Sequence, residues 1–225
     1  HGVQALTELA QQYSVKTIDT FMGQILDLAG DSMQRWIQTL PTRPMSFEDH
    51  LDDGSRIAAT IKRDKNHLDV CFDTSPVHPH GFNATPAIVT AATLYVLRCV
   101  SGSDLPLCDG VLRDVTIQIP EGMLDPPHHE EPAKCAAVVA GNVETSQRIV
   151  DVLLGALGAA AASQGTMNNV LIGDPTFGYY ETIGGGSGAT AAMPGADAVH
   201  THMTNTRITD PEILESRLPI RLRRF

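Results

Sequence analysis

Apolar residues recur at helical spacing through the first forty positions. Val3, Leu6, Leu9 and Tyr13 form one stripe, and Ile18, Phe21, Met22, Ile25, Leu28, Ala29, Met33, Trp36 and Ile37 form a second. Helix is therefore expected over 2–40, broken near 14–17 and ended by Pro41 and Pro44. Residues 56–62 and 67–72 then alternate, which predicts an antiparallel hairpin turning at Asp64–Asn66. A proline-rich irregular stretch, TSPVHPHGFNATP, separates it from a helix expected over 86–99. Val115, Ile117 and Ile119 alternate within a strand expected over 111–119, and DPPHHEEP at 125–132 reads as loop. Ile149, Val152, Leu153, Ala156 and Leu157 give the clearest later helix, over 145–162. Short strands follow at 169–172 and 179–183. Asp210 and Pro211 then open a helix over 211–216 as N-cap and first-turn proline, and 218–225 reads as a final strand.

This order predicts an α+β fold, with helices packed on antiparallel and mixed strands. No repeat or linker divides residues 1–225, which read as a single region. A chain that opens inside an amphipathic helix and closes in a strand leaves backbone groups unpaired. It is expected to be a segment of a larger subunit, truncated at both ends.

The net charge of −10 and an aromatic share of 5% argue against nucleic acid, which needs a basic face and stacking platforms. The one basic cluster, Arg217, Arg221, Arg223 and Arg224, fits a solvated edge or a subunit contact. Four cysteines without a CxxC pair point to neither a zinc cage nor a disulfide framework, and Cys71 and Cys99 read as small buried hydrophobes. No apolar run is long enough to span a bilayer, so no membrane partner is expected and the location expected is cytoplasmic.

Candidate chemistry is densest over 177–207. Gly184, Gly185 and Gly186 free the backbone for close approach to a ligand or to another segment. They form neither a P-loop nor a GxGxxG turn. Glu181 precedes them, and His200 and His202 follow as an HxH pair that a strand would aim to one face. That pair suits either hydrogen bonding or, with a carboxylate, metal ligation; no metal ligand is assigned in this chain. Glu144 and Arg148, four apart on a helix start, suit an ion pair; the alternative is that Asn142, Glu144, Thr145 and Gln147 present a polar cap to substrate. Asn168 and Asn205 add amides, and His78 and His80 lie between prolines at an expected pocket rim. Glu181, His200 and His202 are the catalytic candidates. Asn168, Gly184, Gly185, Gly186, Asn205, Glu144 and Arg148 are the substrate-binding candidates. Glu181, Gly184–Gly186, His200, His202, Asn205 and Asn168 are expected in one cleft, where glycine amides hold an oxyanion and an imidazole moves a proton. The same groups equally suit knitting loops together.

The ordered segments PLCDGVLRDVTIQIPEGMLDPP, AGNVETSQRIVDVLLGAL, ASQGTMNN, YYETIGGGSGA and AVHTHMTNTRITDPEILESRLPIRLRR resemble the hydantoinase B/oxoprolinase family across nearly the whole chain. HGVQALTELAQQYSVKTIDTFM and LDDG resemble the family's preceding segment. The family includes N-methylhydantoinase B subunits, half of 5-oxoprolinase, caprolactamase, and subunits of acetone and acetophenone carboxylases. The resemblance implies one part of an ATP-dependent enzyme that opens hydantoin, 5-oxoproline or lactam rings. An A-type partner uses ATP to phosphorylate the carbonyl oxygen, and the two halves form a hetero-oligomer acting on a small molecule. A ketone carboxylase subunit and a non-catalytic assembly subunit are the other readings. The family's metal ligands come from an NDP…GGTH…D motif. This sequence lacks that motif, so a divalent metal belongs to the complete protein.

Overall fold

The computed structural model of the protein describes residues 1–102, 104 and 106–224. Helix α1 spans Gly2–Tyr13 and α2 spans Val15–Ile37. They break at Ser14, whose positive φ of 71° turns the chain while its hydroxyl accepts the Thr17 amide at 3.3 Å. Both expected stripes exist, but only the end of α2 buries its own, through Ala29, Met33 and Ile37. Val3 is 83% exposed and Phe21 59%, so the stripe of α1 and early α2 faces outward.

A four-stranded sheet follows, ordered β1-β2-β3-β4 along its width. Its strands are β1 (Met45–His50), β2 (Arg56–Asp64), β3 (His67–Thr74) and β4 (Val115–Gln118). The first two pairs are antiparallel and β3–β4 is parallel. The expected hairpin is β2–β3, turning at Lys65 with φ 53°. Strand β1 has no counterpart in the sequence reading. Only Met45 of its six residues is buried, so its hydrophobic pattern is nearly silent.

Helix α4 (Ser146–Ala156) packs on β1 and β2 of the sheet and also on α3 (Pro86–Val100). Nine of the eleven α4 residues are buried. A single π turn over Gly141–Thr145 leads into it. The core is one cluster around Ile57, Leu68, Val89, Met123, Ile149 and Leu153. Beyond it lie two ribbons: β5 (Asn168–Asp174) with β6 (Phe177–Ile183), and β7 (Gly186–Ser187) with β8 (Ala196–Asp197). Helix α5 (Pro211–Arg217) starts as expected, with the Asp210 carboxylate accepting the Glu212 amide at 2.9 Å. The α+β class stands.

Four expectations need correction. The first half of the 111–119 strand is a 3₁₀ turn, Asp109–Leu112, because Gly110 lies directly on the α2 backbone at Leu26. The 145–162 helix stops at Ala156. Gly158 then reverses the chain at φ 63°, and Ala161 donates its amide to the Ala189 carbonyl at 2.8 Å. Residues 218–224 form no strand; the Leu222 amide instead meets the Glu215 carboxylate at 2.7 Å, and Phe225 lies outside the described residues. Cys71 is half-buried and Cys99 exposed. Among the described residues no helix is long and apolar enough to cross a membrane.

Two glycines should respond to alanine with opposite signs. A Cβ at Gly141 would overlap the Asn83 carbonyl oxygen and sit 2.9 Å from Ala84 Cα, both rigid backbone. Gly141→Ala should destabilise by about 2 kcal/mol in urea unfolding. At Gly23, mid-α2, a Cβ meets nothing, so Gly23→Ala should stabilise by about 0.5–1 kcal/mol.

Candidate active site

A cleft of about 440 Å³ opens where three irregular segments meet the start of α4. The β1–β2 turn supplies Leu51, Asp52 and Asp53, and the proline-rich segment supplies His78, His80 and Phe82. Glu144 and Arg148 form the floor, and Gln164, Gly165 and Thr166 the far wall. Two of the substrate-binding candidates, Glu144 and Arg148, thus line it. The expectation that His78 and His80 border a pocket also agrees with the structure.

The proline-rich segment has no ladder to satisfy its backbone, so a buried amide does so instead. Asn83 is fully buried. Its Oδ1 accepts the His78 amide at 2.7 Å, while its Nδ2 donates to the carbonyls of His78 (2.9 Å), His80 (3.2 Å) and Ala137 (3.0 Å). One side chain therefore ties four backbone groups into a loop that projects both histidines.

The two histidines are not equivalent. His78 is buried, and its Nδ1 accepts the His80 amide at 2.9 Å. The ring proton accordingly sits on Nε2, which donates to Asp53 Oδ2 at 2.5 Å. Both nitrogens are committed, so His78 fixes Asp53 rather than moving protons. Asp53 is held down at about 2, first by the Ser55 amide and then by the His78 hydrogen bond. It is a permanent carboxylate on the cleft rim. His80 is exposed, and its ring makes no hydrogen bond within the described residues; it stands 5.7 Å from the His78 ring. That leaves one free imidazole in the cleft.

Arg148 and Glu144 do not pair with each other, correcting the ion-pair reading of their spacing. Glu144 accepts from the Thr166 hydroxyl and so fastens the far wall to the floor. Arg148 directs Nη1 at two carboxylates, Asp49 Oδ2 of β1 at 2.5 Å and Asp151 Oδ2 at 3.4 Å. Its Nε is buried without a partner, and its Nη2 makes no hydrogen bond within the described residues. Asp151 is itself buried and accepts Ser163 N at 2.9 Å and Ser163 Oγ at 3.3 Å.

The other candidates lie behind this wall. His202 Nε2 stands 3.5 Å from Asp151 Oδ1, and its Nδ1 is 3.4 Å from the Tyr95 hydroxyl. His202 adopts φ 53°, so the HxH pair sits in a turn and does not share a strand face. Gln147 holds that turn, donating to the Thr201 carbonyl at 3.1 Å and to Thr204 Oγ1 at 2.8 Å while accepting the Met203 amide at 3.1 Å. Glu181 accepts from the Tyr179 hydroxyl at 2.7 Å and from the Thr209 amide. Burial alone would raise the Glu181 carboxyl, but the Thr209 and Tyr179 donors, with His200 nearby, outweigh it and hold it below its ordinary range. His200 Nε2 is buried without a hydrogen bond.

The glycines are used for close backbone approach. A Cβ at Gly184 would meet the Val199 and His200 backbone, and one at Gly185 the Gln164 side chain. Gly186, at φ 142°, would press on the Ala196 carbonyl at 2.8 Å. Asn168 bonds Gln164 Oε1 at 3.2 Å, bracing the far wall. Asn205 is exposed. Sequence reasoning missed Asn83, Asp53 and Asp151. Only Asn83 left a local signal, as the polar residue closing HPHGFN. Among the described residues no three His, Cys, Asp or Glu side chains cluster as a metal site.

Two measurements check this geometry. Asn83→Ala should destabilise by about 3 kcal/mol in urea unfolding, since it strands several buried backbone groups. Folding lowers the Asp53 carboxyl from 3.8 to about 2. Its contribution is therefore full above about pH 4 and lost as pH falls toward 2. Asp53→Asn should flatten that part of the acid limb in thermal unfolding measured across pH 4 to 2.

Comparison with known proteins bears on this arrangement. 5-Oxoprolinase 1 of Arabidopsis thaliana is 42% identical over all of this chain, which matches 19% of that protein. 5-Oxoprolinase of Dictyostelium discoideum is 39% identical, again over all of this chain and 18% of its own length. The chain thus spans about a fifth of these relatives. The crystal structure of the ATP-dependent caprolactamase from Pseudomonas jessenii superposes with a TM-score of 0.74 at 22% identity, covering 98% of this chain and 41% of that one, and so shares the fold. The model of the family described as Hydantoinase B/oxoprolinase matches residues 1–225, and the chain belongs to that family.

Proposed function

We propose that this chain forms the ring-opening region of an ATP-dependent cyclic-amide hydrolase of the hydantoinase/oxoprolinase type. It acts after an A-type half has phosphorylated the substrate's carbonyl oxygen with ATP, in a cytoplasmic hetero-oligomer or fused chain. The observation that carries the site is a free imidazole, His80, opening on the same cleft as the unpaired Nη2 of Arg148. An unstrained amide resists water. Phosphorylation of its oxygen makes the carbon electrophilic and supplies a leaving group.

In this reading the His80 ring takes a proton from the attacking water. Arg148 Nη2 donates to an oxygen of the substrate and resists its drift. The His80 ring returns that proton to the ring nitrogen, where ionised Asp53 offsets the charge, the C–N bond breaks, and the acyl phosphate left behind loses its phosphate to a second water. Glu144 and Asn168 keep the wall in place through Thr166 and Gln164. Glu181, His200 and His202 support the cleft from behind, and the packed Gly184, Gly185 and Gly186 shape its wall. Asn205 remains a contact for substrate or partner at the surface.

The test uses the complete protein with its ATP-using half, assayed for ATP-coupled ring opening of 5-oxoproline, hydantoin and caprolactam, and for acetophenone carboxylation with bicarbonate. His80→Ala should lower kcat by about a hundredfold at an unchanged melting temperature, the scale of a lost acid–base group. Glu181→Gln and His202→Ala should lower it less than His80→Ala does. Full turnover by the His80 variant would leave this region an assembly element, and turnover of acetophenone alone would make it a carboxylase part.

A further inference from the structure

We propose that Asp151 is a positioning residue that aims the free end of Arg148 into the cleft. The proposal rests on the cleft being the substrate site. A guanidinium presents a planar fork of donors, so fixing one nitrogen fixes the direction of the other. Here Asp49 and Asp151 both address Nη1, at 2.5 and 3.4 Å. Neither reaches Nη2. That nitrogen is left beside Gly165, close enough that a Cβ there would sit 3.0 Å from it, and Gly165 and Arg148 both line the cleft. The fork is pinned on its inner prong and open on its outer one.

Neutralising Arg148 does not require Asp151. Asp49 already supplies a charge partner at the shorter distance, from a side chain 31% exposed that stays partly hydrated. Asp151 has a fully buried side chain, and a carboxylate there gives up all its hydration. Its compensation comes from two directions. Ser163 donates twice at the end of the segment leading to the far wall, and Arg148 donates from the floor. His202 Nε2 stands 3.5 Å away in the turn that Gln147 holds but makes no hydrogen bond to it. The carboxylate is thus the point where the floor and the far wall are held in one register.

The experiment is a double-mutant cycle in the complete protein with its ATP-using half, on whichever of 5-oxoproline, hydantoin and caprolactam it turns over. Asp151→Asn keeps an acceptor for the Ser163 amide but removes the charge that aims Arg148. It should raise KM about tenfold, the scale of one misdirected charge-assisted hydrogen bond, with kcat within about twofold. Arg148→Ala should raise KM at least as much, and the double variant should match Arg148→Ala, because the first change then has nothing left to misdirect. Independent, multiplicative effects would overturn the inference and make Asp151 a purely structural residue. If Arg148→Ala raises KM while Asp151→Asn does not, the cleft reading survives and the positioning role falls. If Arg148→Ala leaves KM unchanged, both fall. Should Asp151→Asn fail to fold, Ser163→Ala takes its place. It removes one donor from Asp151, and its smaller KM rise must vanish in the Arg148→Ala background for the inference to hold.

Discussion

A helix buried on nearly every side must find a partner for each polar group it carries, and α4 carries three in succession on its inner faces. Gln147, Arg148 and Asp151 would each leave donors or acceptors stranded if the neighbouring segments were absent, at about 1–3 kcal/mol apiece. Most of these groups meet chain far away in sequence, Asp49 of β1, Ser163 at the wall and the 201–204 turn, while Arg148 Nε stays without a partner. The apolar side of α4 explains why it packs between sheet and α3. Its polar side explains what else must be docked for that packing to be tolerable. Folding of the helix and assembly of the cleft floor are therefore one event.

The cleft itself is organised by a division of labour between similar groups. Of two histidines separated by one proline, His78 spends both nitrogens holding Asp53 and the His80 amide, while His80 keeps its ring free. Of the carboxylates near the floor, Asp49 and Asp151 face Arg148, Glu144 ties down Thr166, and Asp53 stands on the rim held by His78, beside exposed Asp52. The arrangement separates groups that hold shape from groups left open to the cleft. The separation follows from hydrogen-bond geometry rather than residue type.

Periodicity made the helices and the β2–β3 hairpin legible, because their apolar positions are numerous and regularly spaced. It failed at β1, where MSFEDH buries one residue and is placed by pairing with β2 rather than by pattern. It overran at 145–162, since the alanines beyond Ala156 suit a helix locally but are captured by the 189–190 backbone. At the site, residue types were readable and partners were not. Arg148 reads as the mate of Glu144 four residues away, yet Asp49, ninety-nine residues away, is the partner. Nothing local in a sequence reports a contact of that separation. The ordered motifs did identify the family, because they record many such contacts at once.

The packed glycines have a consequence for how this cleft can change. Gly184, Gly186 and Gly188 let main chain lie on main chain against Val199, Ala196 and Ala161, and Gln164 takes the Gly186 carbonyl through its own amide at 3.2 Å. The far wall is thus backed by peptide groups stacked without side chains between them. Such a seam has no adjustable parts: any added carbon collides with backbone, and nothing can be trimmed. Any change in the shape of the cleft has to work through the opposite bank, where Leu51, Asp52 and Phe82 can be enlarged, shortened or recharged one at a time. One side of the cleft is cast and the other is editable, so variation among related chains should concentrate on the editable side.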